Sequence, residues 1–133
     1  AGSTCNKMVI NVDIAPTILD LAGVKELPAM HGKSFRSLLS GETGPWRKDW
    51  YYEYHEYPDT SHNVQKMRGI RTEEYKLIHY YDPPERFSEQ FELYDLKNDP
   101  DEKVNLAGRP AMKAVRDKLL ARMKELRVEL GAK

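Results

Sequence analysis

Four histidines, a lone cysteine and a run of tyrosines are the residues here whose side chains could do chemistry. His62 is the candidate binding residue. It lies between an aromatic run that stops at Pro58 and the next extended run, and an imidazole on such a loop can hydrogen-bond a hydroxyl or an oxyanion. His55 falls within the aromatic run, where packing is the expected role. His79 alternates with core-like residues and reads as a satisfied structural histidine; His31 sits in a connecting loop. Cys5 is the only cysteine, so no internal disulfide can form, and a frayed end suits it better than a nucleophile's role. Arg68 and Arg71 could meet an anion but read as strand residues paired with acids. Tyr51, Tyr52, Tyr54 and Tyr57 could stack on a sugar ring; the expectation is instead a sheet face covered by the terminal helix. Asn98-Asp99 and Asp101 carry metal-type oxygens but read as a turn and helix cap. These patterns yield no catalytic residue, cofactor site or metal ligand.

The elements that would position these residues are legible from periodicity. Asp13 can cap a helix running to Ala22 by accepting a backbone N–H, with Pro16 tolerated in its first turn. Ile14, Ile18, Leu21 and Ala22 fall on one apolar face, Gly23 suits the stop, and Asp20 is expected to face solvent. Lys33 to Leu39 reads as a short helix with Phe35, Leu38 and Leu39 turned inward, and Ser40 to Pro45 is a break. Extended runs follow at residues 50–57, 64–71, 75–81 and 91–96, with Thr72-Glu73-Glu74 as a hairpin turn. Met112, Val115, Leu119, Met123, Leu126 and Leu130 then step by three or four, one stripe on a helix from about Pro110 to Leu130. The pattern predicts an α+β fold: a small four-stranded antiparallel sheet with the long C-terminal helix packed on one face.

Composition narrows the function classes. The 21 basic and 21 acidic residues cancel, so no global field favours nucleic acid or an anionic membrane surface. No apolar run approaches the roughly 20 residues that span a bilayer. The first residues, Ala1 to Lys7, lack the apolar core of a signal peptide. A length of 133 residues suits one domain with a modest core.

Two distant segments carry a family resemblance. Val12 to Val24, and Glu92 to Glu102 with Asn105-Leu106-Ala107, together resemble the C-terminal region of sulfatases of the alkaline-phosphatase-like superfamily. Between them, His31-Gly32-Lys33-Ser34-Phe35 and the hairpin Arg68 to Ile78 are similar to family segments in the same order. Glu56-Tyr57-Pro58 with His62-Asn63-Val64 is most similar to bacterial N-acetylglucosamine-6-sulfatases, also called mucin-desulfating sulfatases. The resemblance implies that residues 1–45 are the tail of a parent's α/β domain, contributing short helices. It implies that residues 46–133 are a C-terminal subdomain. It also implies a calcium site and a formylglycine nucleophile, made within a Cys/Ser-x-Pro-x-Arg motif, in the parent. Neither Cys5 nor any serine here has Pro and Arg at those offsets, so the isolated chain is expected to be inactive.

On this reading the parent hydrolyses sulfate esters of carbohydrates. The chain's partners are the parent's N-terminal domain and a sulfated glycan, touched by His62, while an exported parent, periplasmic or secreted, is implied. The alternative is a free-standing carbohydrate-binding or interaction module with no catalysis. The first reading predicts that the helix from Asp13 to Ala22 lacks part of its partner surface, leaving apolar residues that drive self-association. The second predicts that this helix packs within the chain.

Overall fold

The hairpin that organises the sheet is closed by one hydroxyl. Thr72 Oγ1 accepts the amide of Tyr75 at 2.9 Å and donates to the Tyr75 carbonyl at 3.1 Å, so Glu73 and Glu74 form the turn. A computed structural model describes every residue except 1, 3, 26, 43, 57–63, 82–87 and 133. It divides into two units, Ala1–Lys48 and Asp49–Lys133.

In the second unit, strands β1 (Asp49–Tyr54), β2 (Met67–Thr72), β3 (Tyr75–Tyr80) and β4 (Gln90–Asp95) form an antiparallel meander in chain order. This is the predicted sheet, each strand within three residues of its expected ends. Successive side chains point to opposite faces, so the register builds rows across the sheet. One row is Tyr51, Ile70, Leu77 and Leu93. Its last three residues are fully buried, and with Leu119, Met123 and Leu126 of the terminal helix they make the core. Each such aliphatic contributes about 1.5–3 kcal/mol by leaving water.

That helix opens with a 3-10 turn at Pro110–Met112 and continues as α3, Lys113–Glu129. The predicted stripe is the buried one. At its end Gly131 takes φ +64°, and the amides of Gly131 and Ala132 bond the carbonyls of Val128 and Arg127, a Schellman closure that needs a left-handed residue. Arg122 ties α3 to the first residue of β1, its Nε 2.8 Å from Asp49 Oδ2. The β4 edge is blunted by Asn105. Its side chain accepts the Leu93 amide at 3.1 Å and donates to the Phe91 carbonyl at 3.1 Å.

In the first unit, helix α1 (Ile14–Leu21) follows a 3-10 turn at Asn11–Asp13. Here the expected cap is corrected. The Asp13 carboxylate makes no bond to the helix's own amides; it accepts the amides of Ile10 and Lys33, each at 2.9 Å, and both guanidinium nitrogens of Arg47. Asp13 is fully buried and Arg47 nearly so. The inner face of α1 is Asp13, Pro16 and Thr17, with the Thr17 hydroxyl 3.0 Å from the Phe35 amide. A Cβ on Gly32 would collide with the Val12 carbonyl, so that loop can lie against the helix start only as glycine.

The apolar stripe of α1 therefore points outward: Ile14, Ile18 and Leu21 are 52%, 60% and 57% exposed. Asp20 does not simply face solvent, because it accepts the Ser34 hydroxyl at 2.5 Å and Arg36 Nη1 at 3.2 Å. The short helix is only α2, Arg36–Leu39; Leu38 is buried as expected, whereas Leu39 is exposed. Trp46 and Arg47 both donate to the Met8 carbonyl, at 2.7 and 3.3 Å.

Candidate functional site

Antiparallel order sends two connections out from the same end of the sheet, β1 to β2 and β3 to β4. His62 belongs to the first of these connections and lies outside the described residues, as does Tyr57. The described end of the sheet is built by the row Glu53, Arg68, His79 and Phe91, one residue from each strand and all on the α3 side. Four rather different side chains thus meet at one place.

Glu53 is nearly buried and lies 3.5 Å from Arg127 Nε of α3 and 3.6 Å from His55 Nε2. The His55 Nδ1 is 2.8 Å from the Tyr81 hydroxyl. Burial, and then the Glu53 carboxylate, push the Tyr81 phenol up, so it stays protonated. The Arg68 guanidinium lies 4.2 Å from the Tyr81 ring centroid. The rings of His79 and Phe91 stack at 4.4 Å and 12°. A cavity of about 500 Å³ opens between this row and α3, lined by Arg68, His79, Phe91, Met123, Lys124 and Arg127 among others. It combines cations with an apolar wall.

The profile of the family described as N-sulphoglucosamine sulphohydrolase, C-terminal, matches residues 1–129. The chain belongs to this sulfatase C-terminal family. It is 43% identical over 112 residues to an N-acetylglucosamine-6-O-sulfatase of Bacteroides thetaiotaomicron, covering 82% of this chain and 19% of that protein. It is 34% identical over 119 residues to the multifunctional alkaline phosphatase superfamily protein PehA of Trinickia caryophylli, covering 80% and 22%. A solved protein in complex with its substrate D-glucosamine-2-N,6-O-disulfate superposes with a TM-score of 0.87 at 37% identity, over 98% of this chain and 26% of that one. The chain thus spans about a fifth of the curated relatives it matches.

Within this sulfatase C-terminal domain the other expected site residues fall as follows. His55 is corrected: it sits just beyond β1 with a side chain 61% exposed, and meets Glu53 and the Tyr81 ring and hydroxyl at the surface rather than in the core. His79 is largely buried, but the satisfied histidine is corrected: Nε2 lies 3.2 Å from Glu89 and has no well-aligned hydrogen bond among the described residues. Arg68 is corrected as well, since it rests on an aromatic ring and its buried Nε has no hydrogen-bond partner among the described residues. Arg71 is exposed. Of the described tyrosines of β1, Tyr51 joins the α3 face. Tyr52 and Tyr54 alternate to the other side, where the Tyr52 ring covers Gly69. There Glu92 accepts the hydroxyls of Tyr80 at 3.3 Å and Tyr94 at 3.0 Å.

The acidic turn is a turn but not a helix cap. Asp95 and Asp99 spend their oxygens on the amides of Lys97, Asn98, Lys103 and Val104, and no helix follows until Pro110. Among the described residues no three His, Cys, Asp or Glu side chains converge. The Glu53–Arg68–His55–Tyr81 group was missed in the sequence because it depends on strand register; Glu53 and Arg68 are fifteen positions apart yet directly opposite.

Burial holds the His79 imidazole below its ordinary value; the Glu89 carboxylate opposes that shift and Arg68 reinforces it. The unfolded chain then binds the extra proton first, so stability is full above the usual histidine range and falls as pH drops through it. Unfolding measured from pH 7.5 to 5.5 is expected to show a steeper loss for the native chain than for His79→Phe. Equal slopes would contradict it.

Proposed function

We propose that this chain is the C-terminal portion of a longer sulfatase that hydrolyses sulfate esters of carbohydrates, with residues 46–133 as its C-terminal subdomain. The substrate class favoured is 6-O-sulfated N-acetylglucosamine. The observation that carries this reading is the 43% identity to an N-acetylglucosamine-6-O-sulfatase, over most of this chain. The nucleophile, the formylglycine and the calcium site are assigned to the preceding part of that protein, and no Cys/Ser-x-Pro-x-Arg motif occurs in these 133 residues. This subdomain braces the catalytic domain, and His62 contacts the sugar. The boundary between the two parts is placed near residue 45, and the parent is taken to be exported.

The outward apolar stripe of α1 supports the bracing role over a free-standing carbohydrate module. Ile14, Ile18 and Leu21 want a partner surface, and a preceding α/β domain would supply one. The same stripe makes the isolated chain prone to self-association.

The test is to read the gene upstream of Asn6 and assay the longer protein. A Cys/Ser-x-Pro-x-Arg motif and sulfate release from 6-sulfated N-acetylglucosamine are the expected results. In that protein His62→Ala is expected to lower kcat/KM about tenfold or more, the effect of losing a hydrogen bond to a charged group. An unrelated upstream domain, or no turnover of any sulfated sugar, would overturn the reading.

A further inference from the structure

The cavity between α3 and the end row of the sheet has a composition that the brace role does not require. Arg68, Lys124 and Arg127 line it, with the Leu120, Met123 and Val128 side chains as an apolar wall. Arg127 is already engaged with Glu53 at 3.5 Å. Arg68 is not matched in that way. Its guanidinium is held over Tyr81, and its buried Nε has no partner among the described residues. A buried guanidinium N–H without an acceptor is costly, and an oxyanion entering beside it would offset that cost. Lys124 is exposed on α3 and adds a second cation at the mouth. At this end Glu53 faces Arg127 and Glu89 faces His79. A volume of about 500 Å³ lies within the range of small-ligand sites and accommodates a hexose ring.

We propose that this cavity binds a negatively charged sugar, with Arg68 and Lys124 holding its oxyanion and the apolar Leu120, Met123 and Val128 side chains meeting the C–H face of the ring. The choice of a sugar rests on the proposed function; the anion site rests on the cavity alone. Sulfate esters and carboxylates share the chemistry, and the test separates them.

Amide correlation spectra of the 133-residue chain are titrated with glucosamine 6-sulfate, glucuronate, inorganic sulfate and neutral N-acetylglucosamine. Saturable shifts at residues lining the cavity are expected for the first two, and much weaker binding for the last two. Lys124→Glu is expected to weaken binding about tenfold, one charge-assisted contact, and Lys118→Glu, also exposed on α3, to leave it unchanged. Lys124 is a surface position, so its variant keeps the fold; Arg68→Gln provides the second arm. No saturable shift, insensitivity to Lys124→Glu, or equal binding of inorganic sulfate and glucosamine 6-sulfate would overturn the proposal. If the longer protein releases sulfate but no ligand shifts these amides, this site fails alone. If it releases none while glucuronate still binds through Lys124, the sulfatase reading fails and the anion site stands.

Discussion

Asp13→Ala is expected to destabilise the first unit by about 3–5 kcal/mol, enough to unfold much of it. The carboxylate is fully buried and closes four contacts: two amides, from Ile10 and Lys33, and two guanidinium nitrogens of Arg47. Removing it strands a cation whose side chain is only 10% exposed. It also orphans two backbone donors that join the segment before α1 to the loop after it. Amide exchange at Ile10 and Lys33 reads the loss directly. The double variant Asp13→Ala, Arg47→Met is expected to recover part of it, because the stranded charge is gone. A single-variant loss below about 1 kcal/mol, as for an exposed ion pair, would show that the contact is not buried in solution.

The same pair sets a pH dependence. Burial is the largest single influence on Asp13 and raises its pKa, but the bonds from Arg47, Ile10 and Lys33 together outweigh it and hold the carboxyl below its usual range. A depressed folded-state value means stability is present above the ordinary carboxylate range and is lost as pH falls through the folded value. Asp13→Asn should remove that acid limb from the unfolding profile of residues 1–48.

Leu77→Ala is expected to cost the second unit about 2–5 kcal/mol. Leu77 is fully buried at the centre of the sheet, flanked in its row by Ile70 and Leu93, which are equally inaccessible. The three stand against Leu119, Met123 and Leu126, so the void left by truncation cannot fill without moving α3. Thermal unfolding followed by the far-UV signal measures it. Leu39→Ala, at a position 65% exposed, is the control and should change stability by no more than about 0.5 kcal/mol. Similar effects at the two positions would mean that the sheet and α3 do not form the core.

The elements were legible where one physical signal dominated. The stripe from Met112 to Leu130 buries because helical period and apolar spacing coincide, and Pro110 and Gly131 bound it by backbone chemistry alone. The four strands were legible from aromatic and β-branched runs broken by turns, and the hairpin from its shortness. Asp13 was misread because its spacing fits a helix cap while its partners, Lys33 and Arg47, lie 20 and 34 positions away. His55 was misread by the span of a single strand end.

Sequence alone determined the element types, the apolar stripe of α3 and the family membership, since these depend on local spacing and on short motifs in order. Only the tertiary structure decided which faces those elements bury. It turned Ile14, Ile18 and Leu21 outward, put Tyr51 and Tyr52 on opposite sides of the sheet, and gathered Glu53, Arg68, His79 and Phe91 into one row. The reason is that burial and ion pairing depend on distance in space, and a strand shifted by one residue would turn its side chains to the opposite face of the sheet.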